Sequence, residues 1–90
     1  MERNRTVGIV NKRGMHARAA ARFASTAATF TSQISVRRGE RMANGKSIMG
    51  LMMLAAPQGT EIAIRAEGPD AEQALEALVA LVSGRFGEAE

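Results

Sequence analysis

Hydrophobic positions along the chain fall into two periods. Gln33 to Arg38 alternates, with Ile34 and Val36 on one face, and Glu61 to Glu67 does the same with Ile62 and Ile64. Thr6 to Val10 is short and β-branched, with Val7 and Ile9 sharing a face, and reads as a further strand. Arg38-Gly39-Glu40 then turns the chain into a fourth strand near Met42. From Ala17 the period changes: Ala20, Phe23, Ala24, Ala27 and Phe30 recur at three- and four-residue spacing, which predicts a helix to about Thr29.

Two more helices follow from their end signals. After Asn44-Gly45, Ser47 is a natural N-cap for a short helix through about Leu54, and Pro57-Gln58-Gly59 breaks it. Gly68-Pro69-Asp70 opens the last helix, with Asp70 as N-cap and Gln73 completing a capping-box variant. Its buried stripe is Ala71, Ala74, Leu75, Leu78 and Val82, and Gly84 is the expected C′ stop. The order is β-α-β-β-α-β-α. Strands this short must share one sheet, with helices covering one face, so the class is two-layered α+β.

Composition narrows the function. The chain has 90 residues, 46% of them apolar, with no Trp or Tyr, three Phe and six Met. It has the length of one domain, and Ala and Met must fill much of the core. Without cysteine there is no disulfide frame, thiolate nucleophile or Cys-based zinc site, and a single His excludes a His-His metal pair. The apolar run Ile48 to Ala56 is about half the ~20 residues of a membrane span, and Met-Glu-Arg-Asn-Arg does not open a secretory signal. A cytoplasmic protein is expected.

The net charge of +3 is unevenly spread: residues 1–60 carry +8 and residues 61–90 carry −5. A basic surface fits an acidic protein partner, a phosphate or a nucleic acid. Stacking aromatics and Lys/Arg runs are both missing, which argues against the last.

His16 is the one side chain whose ordinary titration lies near neutrality. It falls between the Gly14 turn and the Ala-rich helix, at a helix N-terminus where free N–H groups favour an anion. Arg18 and Arg22 follow on the same stretch. In so positive a setting the imidazole should be neutral, with one ring nitrogen free as a nucleophile. From position alone, a plain surface N-cap or exposed residue is the commoner reading of such a histidine. Gly45-Lys46-Ser47 matches the end of a P-loop, but the required first Gly is Glu40, so that motif is absent. Ile48, Met49, Leu51, Met52 and Met53 are too many for one buried face of a short helix. They are either a Met-padded core or an exposed docking patch.

Taken together, Gly14-Met15-His16-Ala17-Arg18-Ala19-Ala20, Asn44-Gly45-Lys46-Ser47-Ile48-Met49-Gly50 and Gly59-Thr60-Glu61-Ile62 resemble the HPr family. These are the histidine-containing phosphocarriers of the bacterial phosphoenolpyruvate-dependent phosphotransferase system. The resemblance runs from Thr6 to about Gly84. It implies a single HPr domain over residues 1–90, an open-faced β-sandwich whose four-stranded antiparallel sheet has the order 1-4-2-3 under three helices.

The resemblance also implies roles. His16 takes the position phosphorylated on Nδ1 by enzyme I and discharged to EIIA-type proteins, and Arg18 that of the arginine offsetting phosphate charge. Ser47 takes the position of the serine modified in some bacteria by HPr kinase/phosphorylase. Ala21, Ile48, Met49 and Met52 fall on the family's partner-binding surface. The implied protein is a cytoplasmic monomer with a transient phosphohistidine, not a stand-alone catalyst, and needs no metal or organic cofactor, nucleic acid or membrane. The alternative is a nitrogen-type regulator of the same system, or a binding module switched by phosphorylation; Leu51 to Ala56 looks somewhat like that paralogue. One departure stands out: the family usually has Pro where this chain has Ala19, which keeps the helix but leaves an extra N–H and a less rigid entry.

Overall fold

The computed structural model describes residues 1–90, in the order β1 (Glu2–Gly8), α1 (Ala17–Ala28), β2 (Gln33–Arg38), β3 (Arg41–Asn44), α2 (Ile48–Met53), β4 (Glu61–Glu67) and α3 (Ala71–Ser83). A 3-10 turn at Arg85–Gly87 follows. The four strands form one sheet in the order β1-β4-β2-β3, every neighbouring pair antiparallel. Alternation places the central strands: Ile34 and Val36 of β2 and Ile62, Ile64 and Ala66 of β4 are buried toward the helices, while their neighbours are more exposed on the open face. All three helices lie on one face, as the sequence predicts. No helix is long and apolar enough to cross a membrane.

Three details differ from expectation. The first strand begins at Glu2 and ends at Gly8, where the sequence suggests Thr6 to Val10. β1 is an edge strand, so Glu2, Arg3, Asn4 and Arg5 remain in the ladder although they bury no apolar face. Arg65 Nε, donating to Glu2 Oε2 at 2.8 Å, ties its start to β4. Beyond Gly8 the pairing loosens into two bonds, Ile9 N–H to the Thr60 carbonyl at 2.8 Å and Gly59 N–H to the Ile9 carbonyl at 2.9 Å.

Asp70 is the N-cap residue of α3, but its carboxylate makes no cap bond and forms no capping box. It reaches the loop between α1 and β2 instead. There it accepts from the backbone N–H groups of Thr31 and Ser32, each at 2.9 Å, and from both hydroxyls. The Ser32 hydroxyl is the strongest influence holding the Asp70 carboxyl down at about 2, and the Thr31 N–H is next. Gly84, finally, ends α3 as its C-cap and not one residue beyond it, with φ −86°. The reversal falls one step later, on Arg85, Phe86 and Gly87 at φ 62°, 54° and 80°.

The core is built from α1, α3 and the inner sheet face. Ala19, Ala20, Phe23, Ala24 and Ala27 of α1 are all buried, and the four alanines let the helix lie close against its neighbours. α2 buries only Leu51. So short a helix depends on its ends: Ser47 Oγ accepts from Gly50 N–H at 3.0 Å, and Arg38 donates to the Leu54 carbonyl at 3.0 Å.

Candidate functional site

Gly14 sets the geometry before α1. Its φ is +66°, and a Cβ there would lie 2.4 Å from the Ala56 carbonyl oxygen and 2.9 Å from Pro57 Cα. Only glycine can make this turn against the Ala56–Pro57 segment. Met15 then donates its N–H to the Ala56 carbonyl at 2.9 Å and buries its side chain. His16 therefore leaves the chain from a fixed base. It is the N-cap of α1 with extended backbone, and its carbonyl accepts from Ala20 N–H at 2.8 Å. Its ring makes no cap bond. The N–H groups of the first turn remain directed outward beside it.

The ring turns instead to residues that follow α3. Nε2 of His16 contacts Oε2 of Glu88. The other carboxylate oxygen, Oε1, accepts from Asn11 Nδ2 at 3.0 Å, and the same amide nitrogen donates to the Gly14 carbonyl at 2.8 Å. Asn11 is fully buried, and its Oδ1 has no partner. Burial is the largest single influence on the Glu88 carboxyl and pushes it up. The bonds from Asn11 and His16, with the charges of His16 and Arg13, together outweigh it and hold the group below its usual value. Glu88 is thus a carboxylate at neutral pH. Since a carboxylate only accepts, Nε2 carries the proton, and a neutral ring is left with its free lone pair on Nδ1.

The setting is therefore not the purely positive one that the sequence suggests. A carboxylate stands on the Nε2 side, and cations gather beyond it. Lys12, Arg13, Arg18 and Arg22 line an open basin of about 480 Å³ with Gly87, Glu88, Ala89 and Glu90. Arg18 is exposed there, whereas Arg22 donates to the Phe86 carbonyl. The segment carrying Glu88 is pinned on both sides. Phe86 is wholly buried in the core, and the Glu90 carbonyl accepts from Lys12 N–H at 2.8 Å.

Asn11 and Glu88 were not legible as site residues. A hint lay in Phe86, one of only three Phe, set between Gly84 and Gly87 beyond the last apolar stripe. An isolated aromatic after a helix stop is a candidate anchor that brings its neighbours back onto the fold.

The second sequence motif lies on α2, which packs against α1. Ser47 is partly buried, with its hydroxyl on the cap. Ile48, Met49, Met52 and Met53 are exposed, at 46%, 69%, 41% and 71%, and Ala21 is partly buried on α1. Of the stripe, Leu51 alone is buried in the core, and the other four side chains are exposed. Ala19 is fully buried in the first turn of α1, so the smaller residue is accommodated by packing.

Comparison with known proteins fits this geometry. The family model described as the PTS HPr component phosphorylation site matches residues 3–84. Phosphocarrier protein HPr of Cupriavidus necator is 46% identical over 86 residues, which cover 96% of this chain and 97% of that protein. Phosphocarrier protein HPr of Neisseria meningitidis serogroup A is 48% identical over 85 residues, covering 94% and 96%. Among solved structures, HPr-C-His from Thermoanaerobacter tengcongensis superposes with a TM-score of 0.93 at 46% identity, covering 98% of this chain and 99% of that one.

Proposed function

This chain belongs to the HPr family of phosphocarriers of the phosphotransferase system, and from that premise we propose that it takes a phosphoryl group on Nδ1 of His16 from phospho-enzyme I and passes it to EIIA-type proteins. The observation that carries this reading is the contact of His16 Nε2 with Glu88, which in the neutral ring leaves Nδ1 as the nitrogen with a free lone pair beside the start of α1.

Phosphoryl transfer asks for positioning and charge stabilisation more than for covalent chemistry. The Gly14 turn and the Met15 bond position the nucleophile. The first-turn N–H groups and the exposed Arg18 guanidinium offset the charge of the arriving phosphoryl group. A carrier must also release its cargo, and one arginine with a helix terminus is a level of stabilisation that permits it. Every residue invoked lies on a single copy of the chain.

Ser47 is the regulatory position in this proposal. Its hydroxyl already faces the N–H groups that open α2, so a phosphate there would add about −1.5 to −2 charges where the backbone tolerates them. The exposed Ile48, Met49 and Met52 beside it, with Ala21 across on α1, form the docking surface. A new charge at its edge opposes docking of an acidic partner.

The test is intact-protein mass after incubation with enzyme I, Mg²⁺ and phosphoenolpyruvate, for the natural chain and for His16→Ala. One acid-labile phosphoryl group on the former and none on a folded His16→Ala is expected. Equal labelling of both would place the acceptor elsewhere.

A further inference from the structure

The segment that follows α3, beyond the residues 3–84 that the family model matches, holds a carboxylate against the ring of His16. Glu88 does not arrive there by chance of an unanchored chain. Three consecutive left-handed residues, Arg85, Phe86 and Gly87, reverse the backbone, and two of them bear side chains that disfavour that conformation. The burial of Phe86 and the bond from Arg22 to its carbonyl hold the reversal in place. Asn11, buried beneath, then fixes the carboxylate by its other oxygen and is itself fixed to the Gly14 carbonyl. A carboxylate, a buried amide and the His16 base are thus joined in one hydrogen-bonded chain.

We propose that Glu88 is a positioning residue for phosphoryl transfer: it holds the proton on Nε2 of His16, presents Nδ1 to the phosphorus, and stabilises the positive charge that the ring acquires as the N–P bond forms. The proposal rests on the reading of His16 as acceptor. In the forward step the Nδ1 lone pair forms the N–P bond while the bond from phosphorus to the donor's leaving atom breaks, and that electron pair stays with the donor. The ring becomes a phosphoimidazolium whose Nε2–H donates to Glu88. In the return step the N–P electrons go back to Nδ1, and the proton never leaves Nε2. Placing a fixed anion where charge develops is electrostatic stabilisation, and orienting an imidazole through its second nitrogen is the logic of the third member of a catalytic triad.

The test uses the natural chain with Glu88→Gln, Glu88→Ala, Glu88→Asp and His16→Ala, each checked for folding. Two readouts are taken: the rate of phosphorylation by enzyme I with phosphoenolpyruvate, and the imidazole tautomer of His16 from nitrogen-15 NMR. Loss of the carboxylate in Glu88→Gln and Glu88→Ala should slow phosphorylation about tenfold, the change that ~1.4 kcal/mol at the transition state produces. In Glu88→Ala the share of ring proton on Nδ1 should rise, and Glu88→Asp should recover part of the rate. Rates and tautomer unchanged in Glu88→Ala would overturn the role of Glu88 while leaving His16 as acceptor. Continued phosphorylation of His16→Ala would instead overturn the acceptor assignment, and the positioning role with it.

Discussion

His16 and Glu88 stand 72 residues apart in sequence, yet the imidazole Nε2 of one meets the carboxylate of the other. The contact exists because Phe86 is buried in the core and the backbone reverses around it. Packing at one position therefore sets the chemistry at another, and the two can be separated by mutation.

Phe86→Ala removes a wholly buried aromatic ring and should destabilise the fold by about 3–5 kcal/mol. Glu88→Ala leaves that anchor in place and should move the urea midpoint far less. Equal losses of stability from the two substitutions would show that the segment is held by the carboxylate and not by the ring.

At Ser47 the cap and the charge can likewise be told apart. Ser47→Ala deletes the acceptor for Gly50 N–H and should cost about 1 kcal/mol in a denaturant titration. Ser47→Asp keeps an acceptor at the cap, so its stability should stay near that of the natural chain, while calorimetric titration should show severalfold weaker binding to enzyme I. Undiminished binding would count against the electrostatic account of Ser47 modification.

Much of this arrangement was legible in the sequence, and the boundary has a physical reason. β2 and β4 are central strands buried on one face, so alternation in Ile34 and Val36, and in Ile62 and Ile64, located them directly. Ser47 signalled α2 because a cap is a local interaction three residues long. The start of β1 is not visible in the pattern because an edge strand carries no apolar period over Glu2 to Arg5. Asp70 has the sequence context of a local cap, but its partners, Thr31 and Ser32, lie 38 to 39 residues away. His16 and Arg18 stood out by type and spacing. Asn11 and Glu88 joined them only through tertiary folding.

The Asp70 bonds make a prediction about acid. The carboxyl is depressed from 3.8 to about 2 in the fold, so its contribution is fully present above pH 4 and is lost as pH falls toward 2. Urea midpoints measured between pH 6 and pH 2 should fall across that window. Asp70→Asn should be less stable at pH 6 and converge on the natural chain near pH 2. A constant difference between the two at every pH would remove Asp70 from the acid response.

The exposed methionines of α2 should matter for partners and not for folding. Met49 is 69% exposed, so Met49→Glu should change stability by no more than about 0.5 kcal/mol. Its docking to enzyme I should weaken, both by loss of apolar contact and by the added negative charge. Intact affinity in a folded Met49→Glu would move the docking surface away from this face.

The most direct measurement concerns the atom that takes the phosphoryl group. The chain is labelled with nitrogen-15 in its single histidine, phosphorylated by enzyme I and phosphoenolpyruvate, and examined by nitrogen and phosphorus NMR. A phosphorus–nitrogen coupling to Nδ1 of His16 is expected, with the proton retained on Nε2. Phosphorus bonded to Nε2, or carried by any other residue, would contradict it.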